Sequence, residues 1–261
     1  SIVFLGTIWP FLVEAFSGDQ VSVGKPFYDL SLTPFVIIFA FLLPIASSLK
    51  WNGKKINNLP YFISLFVICL ICTAVFLLWG SISILTFLGI FLSLWVVLSS
   101  LWEIFKLLSQ RRSREGFDFF KAFKMHRSLV GKSLAHAGFG ALMFGATAVS
   151  TWETEDVRYM KIGEELKISG YTILFKEIEF YSESNFKKVV GEFNILKGDR
   201  FVGNLYPEKR FYVSRQEVTT EASIRPTFFD DVYLVLGNKL NGDEWVVRVY
   251  VKPFISFIWL G

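Results

Sequence analysis

Apolar and polar residues follow two different rhythms along this chain, and the change falls near residue 150. Before it, apolar residues run for about twenty positions at a time, the length at which a helix rising about 1.5 Å per residue crosses a hydrocarbon core of about 30 Å. These runs predict spans at about 31–49, 59–79, 82–102 and 128–150, with the end of a further helix at 1–13. After it, Tyr171 to Phe180, Lys188 to Leu196 and Trp245 to Val251 alternate in whole or in part, which is the period of half-buried strands. Gly170, Gly198-Asp199 and Asn241-Gly242-Asp243 punctuate them, the last as a hairpin signal. The predicted architecture is a polytopic α-helical membrane protein with an extramembrane all-β domain over 151–252. That domain is expected to be a small β-sandwich or open barrel of about six to eight strands.

The connections follow from turn chemistry. Glu14 to Leu30 is expected as a loop, with turns at Ser17-Gly18-Asp19 and Gly24-Lys25-Pro26. Pro34 suits a helix start, and Pro44 predicts a kink or an early end. A basic loop lies at Lys50 to Lys55, a tight turn at Gly80-Ser81, and a polar, basic amphipathic stretch from Glu103 to Arg127. Composition agrees with the spans: of 261 residues, 52% are hydrophobic and 18% aromatic, too apolar for an ordinary soluble domain. The chain opens inside an apolar run without Met or a basic leader, so its start is not expected to be a signal peptide. Residues 253–261 read as the start of a truncated transmembrane helix, and both ends are expected to be cuts in a longer membrane protein. No internal repeat of 20 to 50 residues is visible.

Charge sets an expected orientation, because Lys and Arg stay on the cytoplasmic side. Lys50 to Asn58 holds three basic residues and no acidic one, and Glu103 to Lys132 holds eight basic against three acidic. Glu14 to Leu30 has one basic against three acidic. The basic loops therefore face the cytoplasm, and 151–252 faces the opposite side, the periplasm of a bacterium. That domain carries fifteen basic and seventeen acidic residues, so no basic face points to nucleic acid.

His136 is the one ionisable side chain set well inside an apolar run of membrane length, and an imidazole at that depth asks for a partner. Gly131, Ala135, Gly138, Ala141, Gly145 and Ala148 recur at helical spacing, a face that a helix or a flat cofactor can approach closely. Gly138 and Gly140 beside the histidine would leave room for a porphyrin. A hydrogen bond to a neighbouring helix, a proton pathway and cofactor ligation all remain open on these residues alone. His126 is no co-ligand, since ten helical residues separate the two by about 15 Å. Cys69-Leu70-Ile71-Cys72 matches C-x-x-C, but Thr73 follows and the motif lies in a span, so it reads as apolar packing. Glu208-Lys209-Arg210-Phe211-Tyr212 is either a solvated strand face or a contact surface in which Lys209 and Arg210 meet a partner or haem propionates. Trp9, Trp51, Trp79, Trp102, Trp152 and Trp259 fall near predicted span ends, as an aromatic belt would. Phosphate loops, zinc spacings and Ser/His/Asp orders are absent from the sequence.

Taken in order, Gly6-Thr7 with Trp9-Pro10, Ser22 to Tyr28, Leu134-Ala135-His136-Ala137-Gly138, Glu208 to Tyr212, Thr220-Glu221-Ala222, Asp231-Val232-Tyr233 and Lys252-Pro253-Phe254 resemble the CcmF family over essentially the whole chain. This family is the haem lyase component of cytochrome c maturation. The resemblance implies haem transfer from a CcmE-type haem chaperone to apocytochrome c, with thioether attachment to C-x-x-C-H as part of a complex that includes a CcmH-type thiol oxidoreductase. It implies a resident haem b, with His136 as one axial ligand of the iron. The family's Trp-rich periplasmic segment, its flanking histidines and the other membrane histidine have no counterpart in this sequence, so the second ligand and the site for incoming haem are expected upstream of residue 1. A bacterial inner membrane is the expected location, ahead of the mitochondrial one. Two other readings stand beside this one: a transporter or permease subunit using His136 as a proton relay, and a structural membrane scaffold.

Overall fold

The computed structural model describes residues 2–19, 21–49, 59–76, 83–112, 126–240 and 242–261. The chain divides into two compact units, Ser1–Phe144 with Gly261, and Gly145–Leu260. The expected basic loop at 50–55, the turn at Gly80-Ser81, most of the amphipathic stretch (113–125), Trp51, Trp79 and Asn241 lie outside the described residues.

The first unit is built from α1 (Ile2–Ser17), α2 (Lys25–Ser48), α3 (Leu59–Phe76), α4 (Ile84–Arg112) and the first part of α5 (Arg127–Trp152). Four of these, α2 to α5, are long and apolar enough to cross a membrane. At about 1.5 Å per residue, the 24 residues of α2 extend about 36 Å. The loop expected from Glu14 to Leu30 shrinks to the residues between Ser17 and Lys25. Pro26 explains the early start of α2: in the first turn its missing N–H would have had no helical partner in any case. Pro44 does not end α2, which runs four residues further. The Ser48 hydroxyl donates to the Pro44 carbonyl at 3.0 Å, and the Ser47 hydroxyl oxygen lies 3.0 Å from the same carbonyl. The Trp95 indole N–H of α4 donates to the Phe41 carbonyl, beside the Ala40 carbonyl that the proline leaves without a helical donor. Helix α4 continues ten residues past Trp102, which places Glu103 inside a helix rather than in a loop.

The core of this unit gathers Ala40, Leu65, Cys69, Phe91, Leu92, Trp95, Val96 and Met143. Large apolar side chains on the outer faces, such as Phe35, Ile38 and Ile71, stay more than half exposed. Lipid is the solvent that makes such a surface favourable.

The second unit is an antiparallel sandwich. One sheet orders β1 (Thr154–Met160), β10 (Trp245–Pro253), β9 (Asp230–Lys239) and β8 (Ser223–Arg225). The other orders β2 (Glu165–Ile168), β3 (Tyr171–Ser182), β4 (Phe186–Lys197), β6 (Glu208–Tyr212) and β7 (Glu217–Glu221), with β5 (Arg200–Leu205) also on β4. The three alternating segments read from the sequence fall in β3, β4 and β10, and ten strands form among the described residues where about six to eight were expected. Between β2 and β3, Ser169 and Gly170 both take positive φ, the two-residue turn whose twist suits paired strands. Inward residues of both sheets, among them Ile173, Phe175, Phe193, Val232, Leu234, Leu236, Val247 and Val249, are fully buried in one core. Phe175 stacks on Phe193 with ring centroids 4.4 Å apart. A helical turn, α6 (Ser256–Leu260), follows β10.

Candidate functional site

Residues three or four apart on a helix share a face, so Lys132, Ser133, His136, Phe139, Gly140 and Met143 form one stripe of α5. The neighbours of His136 on this stripe meet α2 and α4. Phe139 stands edge-on to Phe39 of α2 at 5.5 Å, and Met143 joins the core beside Ala40 and Trp95. His136 itself is half-buried, and among the described residues no group hydrogen-bonds its imidazole.

Of the two approaches the glycine face allows, helix or flat cofactor, protein is what the described residues place there. A Cβ at Gly140 would sit 2.6 Å from Val97 Cγ2 and 3.0 Å from the Ser93 carbonyl oxygen of α4. At Gly138 a Cβ would lie 2.8 Å from the carbonyl oxygen of Gly261, and at Gly145 2.8 Å from the Ile258 backbone nitrogen. At these positions protein backbone and side chains approach α5 closely.

One turn before His136 lies a polar cluster around Glu103, a residue that the charge count places in a basic loop. The Ser47 hydroxyl of α2 donates to Glu103 Oε1 at 3.0 Å, and the Ser133 hydroxyl of α5 donates to Oε2 at 2.9 Å. Lys132 Nζ stands 2.9 Å from the same Oε2 and 3.4 Å from the Ser47 carbonyl. Three helices are thereby tied through one carboxylate whose two oxygens and charge are all matched, the condition under which an ion pair at membrane depth is tolerable. The sequence signal was the i, i+1 pair Lys132-Ser133 on the His136 face, facing a Glu just past an apolar run.

His126 precedes α5, and its carbonyl accepts the Val130 N–H at 3.0 Å. Cys69 is buried in the core of the first unit, whereas Cys72 is exposed, and both are free thiols. Lys209 and Arg210 are neighbours on β6 and so point to opposite faces of the sheet. The Arg210 guanidinium lies 2.8 Å from Glu208 Oε2 and over the Phe186 ring, and Lys188 holds Glu208 Oε1 at 3.1 Å. Burial alone would raise the Glu208 carboxyl, but the hydrogen bonds from Arg210 and Lys188 hold it below the usual range. Lys209 reaches Asn238 of β9, and burial lowers its ammonium below the usual value.

Residues 151–253 match the family described as CcmF C-terminal beta-sandwich. The chain is 33% identical over 262 residues to the cytochrome c-type biogenesis protein ccl1 of Rhodobacter capsulatus, covering all of this chain and 39% of that protein. It is 32% identical to the cytochrome c-type biogenesis protein CcmF of Haemophilus influenzae, over 100% of this chain and 40% of that one. Residues 151–253 thus carry the CcmF-type sandwich, and the whole chain is similar to CcmF proteins. The solved structure of the cytochrome c heme lyase CcmF superposes with a TM-score of 0.74 at 17% identity, covering 99% of this chain and 40% of that one, which shows a shared fold. This chain thus spans about two fifths of the length of the CcmF relatives it matches. The CcmF sandwich match ends at Pro253, the last residue of β10, and His136 lies outside it, in the helical part that the whole-chain CcmF relatives cover.

Proposed function

We propose that this chain is part of a membrane factor for cytochrome c maturation, in which His136 supplies one axial ligand to a resident haem b. The observation that carries the reading is whole-chain similarity to proteins named for cytochrome c biogenesis. The fit of the site supports it: a half-buried imidazole without a hydrogen-bonding partner among the described residues keeps a ring nitrogen open to iron. Such a haem would supply a one-electron centre for keeping incoming haem iron reduced. The residues of this chain do the holding. The tie from Glu103 to Ser47, Lys132 and Ser133 fixes α5 against α2 and α4, and Gly140 sets how closely α5 approaches α4.

The second axial ligand and the receiving surface for haem belong to segments outside this chain. In this reading the sandwich faces the bacterial periplasm, as the charge of the loops indicates, where a haem chaperone, a thiol-handling partner and apocytochrome c would meet. Attachment adds a cysteine S–H across a haem vinyl group, making one C–S and one C–H bond with no net oxidation. Lys209 and Arg210 are weaker candidates for propionate contacts, because Glu208 already engages the guanidinium.

Proton relay is the competing use of His136, and Glu103 is the intramembrane acid it would require. Ser47, Ser133 and Lys132 occupy that carboxylate, which makes it a structural tie. The test is maturation itself. In cells that depend on the whole protein carrying this chain, His136→Ala should abolish covalent haem in periplasmic c-type cytochromes, seen by haem staining of denatured proteins. Undiminished staining with equal protein levels would contradict the assignment.

A further inference from the structure

One end of the sandwich unit is uncharged and aromatic. Three segments meet there: the last turns of α5 (145–152), the turn at 226–229, and 253–260, none of which contains an Asp, Glu, Lys or Arg. Trp152 packs against Phe254 at 6.5 Å, Phe229 against Phe254 at 6.4 Å, and Phe228 against Phe257 at 5.5 Å. The Ser256 hydroxyl donates to the Thr227 carbonyl at 2.8 Å, and the Phe254 N–H donates to the Phe229 carbonyl at 2.6 Å. At this end Phe228 and Phe229 remain 55% and 64% exposed.

That exposure is built in. The Thr227 N–H donates to Asp231 Oδ1 at 2.9 Å, the Asp230 N–H donates to the Thr227 hydroxyl at 3.1 Å, and Asp230 is held further by Tyr171 at 2.8 Å and Lys197 at 2.9 Å. A turn fixed from both sides has no slack with which to fold its two rings inward. Charge begins immediately behind the aromatic end, with Glu153 3.8 Å from Lys252 and Asp230 2.9 Å from Lys197. Aromatic and apolar residues in front of a ring of charge are the profile of a bilayer boundary. Trp152, the last residue of a helix long enough to span, marks where that boundary falls.

We propose that Phe228 and Phe229 insert into the lipid leaflet at the C-terminal end of α5, so that this turn is a membrane anchor of the sandwich unit. The occupant of the patch is lipid acyl chain. No haem site is involved, so the inference stands apart from the proposed function.

The test places a nitroxide on a single cysteine at Phe228→Cys or Phe229→Cys, in the whole protein with Cys69→Ala, Cys72→Ala and any cysteine outside this chain also replaced by alanine, reconstituted in phosphatidylethanolamine and phosphatidylglycerol vesicles. Phe180→Cys is the comparison: it is 72% exposed and lies on β3 nine residues beyond Tyr171, about 30 Å away along the strand. Circular dichroism of each labelled protein confirms the fold. The ratio of oxygen to aqueous nickel accessibility should be several-fold higher at 228 and 229 than at 180. A ratio at 228 and 229 equal to that at 180 overturns the proposal, because the turn then lies in water. A label at 228 and 229 shielded from both probes also overturns it, because protein then covers the patch.

Discussion

The two units of this chain bury opposite things. In the sandwich, a continuous apolar core is sealed by both sheets, and the buried polar or charged side chain among the described residues is Asp231. In the helical unit, Thr73, Thr86, Ser93, Ser99, Ser100 and Ser133 are buried while Phe35, Ile38 and Ile71 face outward. Water drives the first pattern, because removing apolar surface from it is worth about 25 cal/mol per Å². Lipid cannot drive the second, since hydrocarbon outside is as apolar as leucine inside. Close packing at small residues and the matching of polar groups then take over. Glu103 and its partners, and Gly140 against α4, are those two devices in this chain.

The sharpest contrast is between two phenylalanines. Phe175→Ala removes a fully buried ring stacked on Phe193 and should cost the sandwich about 3–5 kcal/mol, read from denaturant unfolding followed by circular dichroism. Phe35→Ala, 64% exposed on α2, should leave the stability of the reconstituted protein nearly unchanged. Equal losses at the two positions would remove the distinction between the units.

Gly140→Ala puts a methyl group against Val97 and the Ser93 carbonyl and should destabilise the helical unit by about 1–3 kcal/mol, measured by thermal unfolding in detergent. Were the glycine room for a cofactor, the same change would lower haem content at unchanged stability. Glu103→Ala breaks the three-helix tie and leaves Lys132 without its carboxylate. The expected loss is about 1–2 kcal/mol, the upper range for polar contacts between membrane helices, with Glu103→Gln losing less because its amide oxygen still accepts from one of the two serines and its NH2 can donate to the other. An unchanged unfolding temperature in Glu103→Ala would show that the tie contributes nothing.

The same difference in solvent explains what could be read from the sequence. Spans were legible because twenty apolar residues have few other uses, and β3, β4 and β10 were legible in whole or in part because parts of them bury every second residue. Strands such as β1, β7 and the three-residue β8 bury little on either face, so no alternation marks them. The start of α2 was missed because Gly24-Lys25-Pro26 has both turn and helix-entry chemistry, and only packing decides between them. At the site, His136 stood out because charge in an apolar run is costly. Glu103 did not, because it follows the run, and a carboxylate at a span end is read as wet unless its partners from two other helices are known. The glycines showed that something approaches α5 without showing what.

The central claim rests on one bond, between the His136 imidazole and iron. The direct measurement is the absorption spectrum of the reduced whole protein that carries this chain, purified as His136→Gly with and without added imidazole. The account predicts that the b-type haem bands of the parent protein are lost or shifted in the variant and return when imidazole fills the space left by the side chain. Bands identical in the parent and the variant, without imidazole, would contradict it.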